Sequence, residues 1–148
     1  MTKLNLENFL PYRLNKIASL VSKEFRTVYG PDYDLLIPEW RVLATLGQFE
    51  HMSAREIGIH SSMHKTKVSR AVRALEDRRW LHREGNQEDR REEILSLTNA
   101  GRRYYDSIVP RALAFERKLV DCLGKDGDQL LALLDRLEGS FNSRTKDD

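Results

Sequence analysis

Apolar residues recur at spacings of three and four along most of the chain, a period that predicts a mainly helical fold. Leu10, Leu14, Ile17, Val21, Phe25 and Val28 make one such stripe and predict a helix over 7–29. Pro11 suits its first turn, where a missing N–H costs little, and Gly30-Pro31-Asp32 is expected to break it. Pro38 opens a second helix with Trp40, Leu43, Leu46 and Phe49 inward, and Gly47 weakens its last turn. Ser53 followed by Glu56 has the spacing of a capping box, so a short helix is expected over 54–59. After the turn His60-Ser61-Ser62-Met63, a helix over 64–79 puts Val68, Ala71, Val72 and Leu75 on one face.

The period then changes. Leu81–Glu84 and Ile94–Leu97 flank the polar run Gly85–Arg91, which predicts a β-hairpin with a charged tip. Thr98 is suited to cap a long helix over 99–123, lined on one side by Tyr105, Ile108, Val109, Ala112, Leu119, Val120 and Leu123. Glu116 interrupts that side, and Pro110 is expected to kink the helix. Beyond Gly124-Lys125-Asp126-Gly127, a last helix carries Leu130, Leu134, Leu137 and Phe141, and the tail Ser143–Asp148 is expected to fray.

A short helix, a tight turn, a longer helix and a hairpin make a winged helix-turn-helix. The expected fold class is therefore mainly α with a small β-hairpin wing. The first helix and the last two are long and amphipathic for a chain of 148 residues. Their stripes need a partner surface: a second copy of the chain, or one another within one chain. The second copy is the favoured reading. It divides the chain into dimerisation helices over 1–34 and 98–148 and a winged region over 35–97, in one intertwined domain.

Charge sharpens the picture. The chain carries 25 Lys+Arg against 23 Asp+Glu, a net charge of only +2. Residues 53–91, however, hold 10 basic and 6 acidic groups, and residues 61–75 hold Lys65, Lys67, Arg70 and Arg73 with no acid. An acid-free basic stripe on one helix points to a polyanion, and its alternative is a solvated face. At 100° per residue, Thr66, Arg70 and Arg73 lie opposite the apolar face, flanked by Lys67 and Ser69. These residue types reach base edges and phosphates: arginine bonds guanine O6 and N7 together, and Ser or Thr serves several bases. His64 and Lys65 sit at the helix N-terminus, whose free N–H groups suit a phosphate. Arg90 and Arg91 at the hairpin tip suit a minor groove. Alternatively, Asp89 pairs with Arg91 and stiffens the tip.

Other chemistry is weakly signalled. The single cysteine, Cys122, excludes a disulfide framework and a four-Cys zinc module, and suits a reducing compartment. With no apolar run of about 18 residues and no signal-peptide core, the expected location is the cytoplasm. His60 and His64 are four apart, but Ser61-Ser62 falls in the turn between them, so no metal is expected. Gly124-x-x-Gly127 is more simply a turn than an RNA-clamping loop. With no Walker-type loop, GxGxxG, HExxH or GxSxG, neither an enzyme nor a cofactor is expected.

Four stretches carry a family resemblance: Leu36-Ile37-Pro38-Glu39-Trp40-Arg41-Val42-Leu43, Lys65-Thr66-Lys67-Val68-Ser69-Arg70-Ala71-Val72, Asp89-Arg90-Arg91 and Leu97-Thr98-Asn99-Ala100-Gly101-Arg102. Their order and spacing over nearly the whole chain resemble the MarR family of bacterial winged-helix regulators. The resemblance implies an obligate homodimer on a pseudo-palindromic operator, usually repressing, and released by a small, often phenolic, ligand or by an oxidant. It also implies an effector site where the dimer helices meet the winged unit, with Tyr12, Trp40 and Arg41 as lining groups. In some relatives a cysteine senses oxidants. Here Cys122 is read instead as a small hydrophobe at the dimer interface. An RNA-binding or protein-interaction module using the same basic helix is the remaining alternative. The sequence departs from the family at Arg79-Trp80-Leu81, where a glycine usually precedes the first wing strand.

Overall fold

Helix α1 (Leu10–Tyr33) follows a single 3-10 turn at Leu6–Asn8. In this computed structural model, which describes residues 1–144, the chain divides into two units, residues 1–111 and 112–148. The fraying expected of the tail concerns, at 145–148, residues outside the described ones. Gly30-Pro31-Asp32 does not break α1, which runs on to Tyr33. The N–H that Pro31 lacks would have served only the last turn. That turn is held by packing: Tyr29 is buried, and the Tyr33 ring meets Trp80 and Tyr104 at centroid distances of 6.3 and 5.2 Å. Asp34 closes the helix in the left-handed region (φ 51°), its N–H donating to the Gly30 carbonyl. Burial pushes the Tyr29 phenol up to about 12, so it stays protonated across the physiological range.

Helix α2 (Ile37–Phe49) has Pro38 in its first turn, as expected. Glu39 Oε2 accepts from the Leu36 N–H at 3.1 Å. Its inward face is Val42, Leu43 and Leu46, with Trp40 half-buried; Phe49, expected inside, is exposed at the last turn. Phe49 stands at the frayed end of the apolar arc, and its ring edge meets His60 instead. Gly47 does not end α2. A Cβ there would enter the Tyr105 ring, and its carbonyl accepts from Arg102.

The capping box forms at the start of α3 (Ala54–Ser61): Ser53 Oγ accepts from Glu56 N, and Glu56 Oε2 accepts from Ser53 N. The helix runs two residues past the expected end, because Ser62 rather than His60 takes the left-handed turn (φ 54°). Helix α4 (Lys65–Asp77) buries Val68, Ala71, Val72 and Leu75, the four residues its periodicity marked.

Strands β2 (Leu81–Gly85) and β3 (Glu93–Leu97) form the hairpin, with Leu81 opposite Leu97 and Gly85 opposite Glu93. A two-residue strand β1 (Met52–Ser53) pairs antiparallel with β3 and completes a three-stranded sheet in the order β1-β3-β2. It is too short to show a period, so no sequence pattern marks it. Arg79, at the position where the resemblance leads one to expect glycine, stands at φ 61°, so a non-glycine residue makes a left-handed turn into the wing.

Helix α5 (Asn99–Asp121) starts on Thr98, whose Oγ1 accepts from Gly101 N, and continues through Pro110. In residues 1–111 one core joins Tyr29, Leu35, α2, Ile57, α4, Trp80, Leu81, Leu95 and Ile108. In the second unit, a 3-10 turn at Gly124–Asp126 leads to α6 (Gly127–Arg144). Leu130, Leu131, Leu133, Leu134 and Phe141 on α6 are exposed, as are Leu10, Leu14 and Ile17 on α1. Among the described residues no helix is long and apolar enough to cross a membrane.

Candidate nucleic-acid interface

The outward face of α4 follows from its inward one. With Val68, Ala71, Val72 and Leu75 in the core, every position between them that carries a polar group is turned to solvent. Lys65, Thr66, Lys67, Ser69, Arg70 and Arg73 are all exposed. The start of the helix is capped by His64, whose Nδ1 accepts from the Thr66 N–H at 3.2 Å. That acceptor role requires the ring nitrogen to be unprotonated. Among the described residues, none of Lys65, Lys67, Arg70 and Arg73 is ion-paired to a carboxylate. Their charge is therefore available to an external anion.

The wing tip is built by short local hydrogen bonds. Glu88 N donates to Asn86 Oδ1 at 3.0 Å, and Arg91 N donates to Asp89 Oδ1 at 2.9 Å. Asp89 thus holds the backbone of Arg91 rather than its guanidinium. The Asp89–Arg91 salt bridge weighed from the sequence is absent among the described ion pairs. Arg90 and Arg91 both remain exposed. The wing is tied to α4 by Arg83, which donates to Glu76 at 2.7 Å and to Glu93 at 3.2 Å. The hydrogen bond it donates to Glu76 is the main reason the Arg83 guanidinium is held above its ordinary value. All three side chains are over a third exposed, so the pairing orients more than it stabilises.

A groove of about 600 Å³ runs between the wing and the helix-turn-helix, bringing Lys65, Ser69 and Arg91 together with Arg55. Arg55 was not found from the sequence. Its only signal is its place in the first turn of α3, the helix that in such units crosses the nucleic-acid backbone.

A second groove, of about 1020 Å³, lies between α1 and the start of α2 and reaches the turn before α4. Arg41, Lys23, His64 and Lys67 supply its polar wall, and Ile37 and Pro38 an apolar one. Arg41 Nη2 donates to Ser22 Oγ at 3.2 Å. Of the three lining groups expected for an effector, this groove holds only Arg41. Trp40 packs on Tyr29 and Phe25, with centroids 5.3 Å from each, and Tyr12 is exposed in the first turns of α1.

His60 stands in α3 and His64 is the extended cap residue before α4, and among the described residues no three His, Cys, Asp or Glu are grouped to hold a metal ion. Cys122 lies just past the end of α5, exposed, its Sγ donating to the Leu119 carbonyl at 2.9 Å.

Residues 35–92 match the sequence model of the MarR family. YwoH, an HTH-type transcriptional regulator of Bacillus subtilis (strain 168), is 29% identical over 111 residues, covering 75% of this chain and 80% of that protein. A MarR/EmrR family transcriptional regulator from Acinetobacter sp. ADP1 superposes with a TM-score of 0.83 at 25% identity, over 95% of this chain and 99% of that one. BpsR of Bordetella bronchiseptica, whose DNA binding is regulated by 6-hydroxynicotinic acid, shares the fold with a TM-score of 0.78 at 19% identity, over 93% and 98% of the two chains.

Proposed function

We propose that this chain, whose residues 35–92 match the model of the MarR family of transcriptional regulators, works as a homodimeric repressor released from its operator by a small aromatic acid. The observation that carries the DNA-facing part is the solvent-turned side of α4. Lys65, Lys67, Arg70 and Arg73 stand there along residues 65–75, a stretch that holds no acid, and none of them has a carboxylate partner among the described residues. α4 enters the major groove, with Thr66, Ser69, Arg70 and Arg73 toward base edges and His64, Lys65 and Lys67 toward phosphates. Arg90 and Arg91 on the wing reach the flanking minor groove. Two copies, joined through the long helices over 1–34 and 98–148, place their recognition helices about one duplex turn, or about 10 bp, apart.

The effector occupies the groove between α1 and α2. Arg41 offers a two-pronged partner for a carboxylate, and Ile37 and Pro38 offer a surface for a ring. The same groove is walled by His64 and Lys67, so an anion held there bears on the groups assigned to DNA phosphate. The regulation of BpsR by an aromatic acid supports this class of ligand.

Replacing Arg70 by Ala tests the assignment. The expected loss is about 1–3 kcal/mol on the selected site, with relaxed preference at one base pair. Anisotropy titrations on the selected duplex and on single-base variants read both quantities. Equal weakening on every sequence would reassign Arg70 to phosphate.

A further inference from the structure

Arg78 is the C-cap residue of α4, one position before the left-handed turn into the wing. Unlike its exposed neighbours Asp77 and Arg79, it is half-buried. Its guanidinium turns away from the DNA-facing side and spans the end of α1. Nη1 donates to the Tyr33 carbonyl at 2.6 Å and Nη2 to the Asp34 carbonyl at 2.9 Å. Both carbonyls lie at the end of α1, where carbonyls lack intrahelical donors and the helix dipole favours a cation. The same guanidinium lies 5.0 Å from the centroid of the Trp80 ring. Trp80 is buried, and its ring packs, tilted by 30°, on Tyr104 of α5 with centroids 4.1 Å apart. Its carbonyl accepts from Thr98 N at 3.0 Å, at the root of α5. The end of α4, the end of α1 and the root of the wing therefore meet at one guanidinium, and the start of α5 packs on the Trp80 ring beside it.

We propose that Arg78 is a positioning residue: its two-carbonyl bond to α1 fixes the tilt of the recognition helix α4 against α1, and so the half-site spacing a dimer reads. The proposal rests on the DNA-binding reading above. Its lever is the length of α4, 13 residues, or about 20 Å at 1.5 Å per residue. A tilt of about 10° at the C-cap swings the far end by about 3.5 Å, close to the rise of one base pair, about 3.4 Å. A planar guanidinium with two parallel donors resists that tilt; an ammonium on one carbonyl does not.

The probe is the duplex that the wild-type chain enriches from a randomised 30-bp pool, with copies carrying one base pair more or fewer between the half-sites. Arg78→Ala and Arg78→Lys are titrated on all three duplexes over a salt series. The wild type should prefer its selected spacing by at least about tenfold. Both variants should flatten that preference to about twofold and leave the salt slope unchanged, since no phosphate contact is lost. Arg78→Lys keeps the charge, and it decides the matter if the alanine variant fails to fold. A DNA-free measurement accompanies these: the distance between spin labels at Lys23→Cys and Ser69→Cys in a Cys122→Ser background, with labelled chain diluted in unlabelled. It should broaden in both Arg78 variants. Retained spacing preference with an unchanged label distance would overturn the proposal. So would uniform weakening with the slope shallower by about one, which marks a phosphate contact. If the wild type enriches no duplex, the DNA-binding reading fails, and the label distance alone decides for or against the positioning role.

Discussion

Replacing Leu14 and Ile17 together by Asp is expected to give a folded monomer that binds its duplex about 10²–10⁴-fold more weakly. Both residues are exposed on α1, 39% and 49%, in a stripe that continues from Leu10. Neither belongs to the core that joins Tyr29, α2, α4, Trp80 and Ile108, so the winged helix should keep its circular dichroism and melting cooperativity. A contiguous apolar stripe left in water is the usual mark of an interface. A carboxylate placed in it must shed its hydration without a partner, which costs far more than the pair of methyl-rich contacts it replaces. Once the chains part, each half-site is held singly and the second no longer benefits from the first. Light scattering after gel filtration reads the mass, and anisotropy reads the affinity. A variant that stays dimeric would remove α1 from the interface.

Gly101→Ala is expected to destabilise the fold by about 2–4 kcal/mol, a fall in melting midpoint of roughly 10 °C. Gly101 is buried in the first turn of α5. A Cβ there would lie 2.9 Å from the Trp80 carbonyl carbon and closer still to its oxygen, and backbone atoms cannot rotate away as a side chain can. Around that contact, Thr98 Oγ1 accepts from Gly101 N at 3.1 Å and donates to the Arg79 carbonyl at 2.6 Å. Any shift that admits the methyl group breaks this corner, which roots both α5 and the wing. Gly139→Ala is the matched control. Nothing lies within 4 Å of its would-be Cβ in α6, so alanine should be neutral or stabilising by up to about 1 kcal/mol. Thermal melts of the two variants side by side check the contrast. An unchanged midpoint for Gly101→Ala would show that the corner is slack.

What the sequence made legible was whatever a period or a cap encodes. Val68, Ala71, Val72 and Leu75 marked the buried side of α4 and, by subtraction, its outward one. Ser53 with Glu56, and Thr98, announced two helix starts by chemistry confined to four residues. What stayed hidden depends on groups distant in sequence. α1 passes Pro31 because Tyr29 and Tyr33 are packed by residues far along the chain. β1 exists because β3 lies alongside two residues that have no pattern of their own. Arg55 and Arg78 read as ordinary surface charges until folding places one beside Arg91 and the other against α1. Trp40 and Arg41, adjacent in sequence, point to different surroundings, so a lining set assembled from neighbours kept only one of its three members in a single groove.

In the proposed complex, residues 65–75 of α4 and the wing tip meet duplex DNA as a pair of chains. Each chain offers Lys65, Lys67, Arg70, Arg73, Arg90 and Arg91. If half of these meet phosphates in a pair of chains, about six counterions are released and the slope of log K against log[salt] is about −5. The direct measurement is a salt series of anisotropy titrations on the enriched duplex, with stoichiometry read at saturation. The expected result is a slope of about −5 or steeper with two chains per duplex. A slope near zero, or saturation at one chain, would contradict it.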